Sequence, residues 1–244
     1  MKHQYVGDIN DYRKYALLRA LSVGGANRIG VCWMLTPDDG GTDGGKLSYL
    51  KQPDRFRHFD PELFDTLAHA AGEPDRRRLQ SIEDSGAIAG ALYHNETLPQ
   101  AVDDRATYIA EGRAKFADAD LVFFDPDNGI QAPAVKMGHK AALKYVFLDE
   151  VAAFYGDGKS VLIYQHFPMM KPKQQFVADT LARLRATMPD AAIFTFTTSF
   201  VVFFLLVHPE SPARLAISAM EACGQLDPSF VRGEYLGRAS LPAG

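Results

Sequence analysis

The chain has 244 residues, 47% hydrophobic and 23% charged, values of a globular protein able to bury a full core as one large domain. A net charge of −4 excludes a general attraction to nucleic acid but not a local basic face. Cys32 and Cys223 form neither a disulfide framework nor a metal-ligand spacing, so a reducing, cytoplasmic setting is expected.

The first residues carry no signal-peptide apolar core. The longest apolar run, 200–207, falls far short of the roughly 20 residues a bilayer span needs, so no membrane role is expected. The chain opens on a helix that Asp8 or Asp11 can cap, with Tyr15, Leu17, Leu18 and Leu21 as its apolar stripe and Gly24-Gly25 as its stop. Residues 29–35 read as a buried strand, and 36–46, with Pro37, three aspartates and four glycines before Lys46, as a loop. Residues 51–86 form a charged, mostly helical insertion, and 88–93 a strand. A helix over 107–116 leads to the apolar strand Leu121-Val122-Phe123-Phe124, which ends at Asp125.

Downstream, a helix is expected over 148–155, a strand over 160–164 ending at Gln165-His166, and an amphipathic helix over 176–188. Strands over 192–197 and 201–207 follow, joined by only three residues, too few for a crossover, so they form an antiparallel hairpin. Strands alternating with helices give a three-layer α/β fold on residues 1–244 as a single domain: a Rossmann-like sheet, mostly parallel, with a C-terminal antiparallel hairpin strand.

Ligands of such sheets bind outside the carboxyl ends of the strands, where three polar clusters fall: 36–45, 125–129 and Gln165-His166. Asp125-Pro126-Asp127-Asn128-Gly129 is the strongest, since two carboxylates straight after an apolar strand exceed what a turn requires. His166 stands where a proton acceptor would be useful.

With these residues in view, the chain resembles the single-domain bacterial 23S rRNA adenine-N6-methyltransferases. Their opening Gly-Asn-x-x-Asp-x-x-Lys-His is similar to residues 7–15 here, matching at Gly7, Asp11 and Lys14. Their Asp-Pro-Pro-Tyr is similar to Asp125-Pro126-Asp127-Asn128, with Asn128 in place of the aromatic that stacks on the base. The resemblance implies S-adenosylmethionine as cofactor, bound by Gly7, Asp11, Lys14, Thr36, Asp38 and Gly40. It also implies Asp125, Asn128 and His166 around the acceptor amine, and RNA or DNA as the partner. Two further readings stand beside it. Asp125 and Asp127 can be taken as ligands of Mg²⁺ in a phosphoester hydrolase or nuclease, an Asp-x-Asp that resembles the haloacid-dehalogenase phosphatases. A methyltransferase fold kept as a non-catalytic binding module is the other.

Overall fold

The structure is a computed structural model that describes residues 1–37, 41 and 44–238. The chain order begins with helix α1 (Ile9–Ser22) and strand β1 (Ile29–Cys32), then helices α2 (Pro53–Phe56), α3 (Pro61–Gly72) and α4 (Leu79–Asp84) before strand β2 (Leu92–His94). Helix α5 (Val102–Lys115) precedes β3 (Leu121–Phe124) and two short strands, β4 (Gly129–Ile130) and β5 (Tyr145–Val146). The rest alternates α6 (Leu148–Gly156), β6 (Ser160–His166), α7 (Lys173–Thr187), the hairpin β7 (Ala192–Thr197) and β8 (Val201–Val207), α8 (Ala213–Gln225) and β9 (Arg232–Arg238).

Among the described residues, seven strands form one sheet in the order β2-β1-β3-β6-β8-β7-β9. The pairs from β2 to β6 are parallel. Strand β8 is inserted antiparallel between β6 and β7, and β9 adds an antiparallel edge beside β7. A parallel sheet with one late antiparallel strand slotted between its last two parallel strands is the Rossmann-like methyltransferase arrangement. The strand order reverses at β1, whose chain continues to β2 on one side while β3 returns on the other. Such a switch point opens a crevice at the carboxyl ends of β1 and β3.

Alternation along each strand builds the layers. Leu121 and Phe123 of β3 face a core shared with α1, α3 and α8. Val122 and Phe124 face the opposite core, shared with α5, α6 and α7. The hairpin stands as expected, whereas several bounds move. Strand β1 stops at Cys32 rather than residue 35, because Met34 takes a left-handed φ of 48° that no strand tolerates. Strand β6 runs on through Gln165 and His166, which therefore end the strand instead of following it. Asp8 caps α1 by accepting from the Asn10 N–H at 2.9 Å, while Asp11 turns inward. No helix among the described residues is long and apolar enough to cross a membrane.

One buried ion pair fixes the segment that follows β4. Arg105 of α5 grips Glu150 of α6 at 2.5 and 2.9 Å and donates to the carbonyls of Ala142 and Tyr145. With side chains only 2% and 8% exposed, neither charge has water to fall back on. Arg105→Met leaves the Glu150 carboxylate unpaired, and urea unfolding is expected to lose about 3–5 kcal/mol. Arg105→Met/Glu150→Met should lose less than the sum of the two single changes, and additive losses would contradict this account.

Candidate functional site

The carboxyl ends of β3 and β6, the start of α1 and residues 44–46 line a cavity of about 500 Å³, a volume suited to a small cofactor. Its floor is a charge cluster built by three elements. Asp125, the first residue beyond β3, donates its backbone N–H to Cys32 O of β1, so the chain leaves the sheet in register with its neighbour. Its Oδ2 lies 2.6 Å from Lys14 Nζ, and Asp11 Oδ1 lies 2.7 Å from the same ammonium. Tyr15, Trp33 and Tyr164 surround Lys14 Nζ with ring centroids at 5.2, 5.9 and 5.6 Å.

The Lys14 side chain is 2% exposed. Burial pulls its pKa down, but the carboxylates of Asp11 and Asp125 outweigh that, so the ammonium is held above its ordinary value. The reverse holds at Asp11, which burial pushes up to about 6 despite Lys14, with the Asp125 charge adding to the rise. A charged triad carries two negatives and one positive, a net negative floor.

Asp127 faces elsewhere. Its Oδ1 lies 2.9 Å from the α-amino group of Met1, and its Oδ2 accepts from Thr36 Oγ1 at 3.2 Å. The Met1 amino group also donates to the carbonyl of Asp125 at 2.9 Å. The metal reading is corrected by this geometry: Asp125 and Asp127 turn to different cations instead of converging. Among the described residues, no group of three or more His, Cys, Asp or Glu side chains is placed to hold a metal ion.

Gln165 clamps the loop after β3. Its Oε1 accepts from Ile130 N at 2.8 Å, and its Nε2 donates to Asn128 O at 2.9 Å. Gly129 makes the clamp possible: its φ is 123°, and a Cβ there would sit 2.3 Å from the Gln165 amide. Asn128, thus fixed, lines the cavity with His166, whose Nε2 is 2.8 Å from Tyr164 Oη. Burial, aided by Lys46, lowers the His166 pKa against the pull of Asp125 and Asp8, so the ring is neutral at pH 7.

Of the expected site residues, Asp11, Lys14, Asp125, Asp127, Asn128 and His166 meet around this cavity. Thr36 stands outside its lining and reaches it through Met1 and Asp127. Gly7 stands outside its lining: φ is 83°, a Cβ would come 2.9 Å from Ala71 Cβ, and its carbonyl accepts from Tyr49 Oη, so it is a packing and turn position. Asp38 and Gly40 lie outside the described residues.

Sequence reasoning missed Asn10. It is nine-tenths buried and lines the cavity, and its Oδ1 has no hydrogen-bond partner. Its signal was spacing, since Asn10 and Lys14 are one helical turn apart on the same face. Tyr164 and Lys144 also line the cavity and were likewise overlooked, while Lys46 lines it at the end of the expected loop.

Neither a protein-family model nor a curated protein matches the chain. Two solved structures are similar in shape. Protein LPL1258 from Legionella pneumophila, of family DUF519, shares 8% identity over 97% of this chain and 98% of its own, with a TM-score of 0.45. Human methyltransferase-like protein 13, solved with SAH, shares 18% identity over 89% of each chain, with a TM-score of 0.31. At scores this low, the strand order and the placement of the antiparallel strand carry the fold assignment.

Titration of Asp11 has a measurable consequence. Its folded pKa of about 6 lies above the ordinary 3.8, so between those values the folded state holds a proton that the unfolded state has lost. This contribution therefore makes stability fall as pH rises from about 4 to 6 and level off above. Asp11→Asn should lack that decline relative to the unmodified protein in urea unfolding at pH 4.5 to 7.5, and parallel curves would refute the assignment. Lys14→Met, which strands two buried carboxylates, is expected to lose about 3–5 kcal/mol at pH 7.

Proposed function

We propose that the protein binds S-adenosylmethionine at the carboxyl ends of β3 and β6 and acts as a methyltransferase on a nucleic acid or nucleotide-like amine. The observation that carries this reading is the cofactor-sized cavity at the carboxyl ends of the central strands β3 and β6, floored by Asp125. The residues present suit the cofactor. Asn10 Oδ1, buried without a partner, calls for a donor such as an ammonium. The net negative floor favours a cationic ligand, and the rim lysines Lys46 and Lys144 suit a carboxylate. Tyr164 and Phe167 add aromatic surface to the lining.

The cofactor, when bound, supplies a methyl group already activated by the positive sulfonium. What the protein adds is positioning. Asp125 holds an acceptor amine by accepting its N–H, and the Gln165 clamp keeps the Asn128 loop from drifting. His166, neutral at pH 7, is able to accept the proton that the amine releases.

One observation favours a second reading, a binding module without catalysis. Asn128 stands where the resembling enzymes carry a stacking aromatic. Isothermal titration with S-adenosylmethionine separates the outcomes. Micromolar binding is expected, weakened at least tenfold in Asp125→Asn with circular dichroism unchanged. Asn10→Ala removes an orphaned amide, so stability should hold or rise while affinity drops about tenfold, the loss of one hydrogen bond of ~1.4 kcal/mol. Absence of binding by the unmodified protein would sink the cofactor reading. Binding without transfer of labelled methyl to any RNA, DNA or nucleotide would leave the module.

A further inference from the structure

A second cavity, of about 670 Å³, adjoins the first and shares Asn128, His166 and Phe167 with it. Ile130, Tyr145, Phe167, Met169, Met170 and Phe176 make its wall largely apolar. Met169 and Met170, between β6 and α7, are 99% and 95% exposed. Large apolar side chains left in water at a cavity mark a binding surface, and unbranched thioether chains adapt to what they cover.

Three charged side chains line this cavity: Lys171, Asp179 and Arg183. Asp179 and Arg183 stand one turn apart on α7, the spacing at which an acid and a base usually pair. Here the acid is diverted. Its Oδ2 takes the Lys171 ammonium, and its Oδ1 accepts from Gln175 Nε2 at 2.7 Å. Lys171 and Asp179 thus cancel, while Arg183 has no carboxylate partner among the described residues.

A guanidinium carries five N–H donors. Among the described residues only Nη2 of Arg183 finds an acceptor, the Gln131 carbonyl at 2.9 Å. Burial pulls the Arg183 pKa down with no acid to oppose it, unlike Arg19 and Arg113, which neighbouring carboxylates raise. A single uncompensated cation with spare donors in an apolar wall calls for one anion. A carboxylate matches it in charge and in fork geometry. A phosphate monoester, near −2 at neutral pH, would bring a second charge that nothing in the wall offsets.

We infer that the second cavity binds a small carboxylate with an apolar body, its carboxylate on Arg183 and its body against Phe167, Phe176 and the two methionines. Arg183 is not shared with the first cavity, so the anion stands away from the floor that Asp125 forms. The inference goes beyond the cofactor reading and needs only the second cavity.

The test is isothermal titration at pH 7, without S-adenosylmethionine, using octanoate, 1-octanol and n-octylammonium as probes of equal length and different charge. Octanoate should bind with a Kd on the order of 0.1 mM, as expected of a ligand this small. Octanol should bind at least tenfold more weakly, and octylammonium more weakly still. Hexanoate, two methylenes shorter, should lose about tenfold against octanoate, because the body is held by apolar burial. Arg183→Met should weaken octanoate at least tenfold and leave octanol unchanged, with circular dichroism unaltered. Met170→Asp, at an exposed position that the fold does not depend on, should repel octanoate to a similar extent while improving octylammonium.

No binding of octanoate would overturn the inference. So would octanol binding as tightly as octanoate, or octanoate affinity unchanged in both variants. The two proposals fail separately: cofactor heat without octanoate binding overturns only the second site, and octanoate binding without cofactor heat overturns only the cofactor.

Discussion

An ammonium group that is 2% exposed must be neutralised where it lies, and Lys14 meets that demand with carboxylates from two directions. Asp11 comes from its own helix, three residues back, and Asp125 comes from the end of β3, 111 residues on. The pair with Asp125 therefore fastens the first turn of α1 to the carboxyl edge of the sheet. The cavity is what remains between helix and sheet once that distance is set. Asp8 completes the frame by capping α1 and accepting from Lys46 N, which draws the end of the loop after β1 toward the same turn. Acids gathered near a helix N-terminus also sit where the helix dipole favours them.

Those same constraints explain what was readable beforehand. Leu121-Val122-Phe123-Phe124 followed by an acid shows itself locally, because four apolar residues must be buried and a carboxylate cannot follow them inside without a partner. The hairpin was legible for a comparable reason, a connection too short for any other topology. Asp11 was not separable from Asp8 by local rules, since both stand at the start of a helix and both read as caps. The identity of the true cap depended on Lys14 needing a second acid, a tertiary requirement. Gln165 read as part of a polar cluster at a strand end, and its clamp on the Asn128 loop is visible only once β6 is seen beside β3. Strand β9 left almost no sequence trace, because Arg232–Arg238 is an edge with most side chains in water and no apolar run.

Neighbouring carboxylates illustrate how far local spacing can mislead. Asp125 and Asp127 stand two residues apart, which suggests convergence on one ion. Pro126 separates them, and the chain leaves the sheet there, so Asp125 turns to α1 while Asp127 turns to Met1 and Thr36. Each acid thus ties a different segment to the end of β3. One pair of residues fixes both sides of the cavity wall, a structural use that accounts for both carboxylates without a metal between them.

Asn128 stands between the two cavities and lines both. With an amide at this position and its backbone carbonyl taken by Gln165 and His166, the loop after β3 is rigid but offers no ring face. The rings lie one strand further on: Phe167 follows β6 directly, lines both cavities, and packs edge-on against Phe176 of α7 at 6.2 Å. The ring that both cavities share thus stands at the end of β6, while Asp125 stands at the end of β3. Such a division keeps Asp125 in its buried pair with Lys14. It also leaves the apolar wall of the second cavity beside Met169 and Met170, which face water.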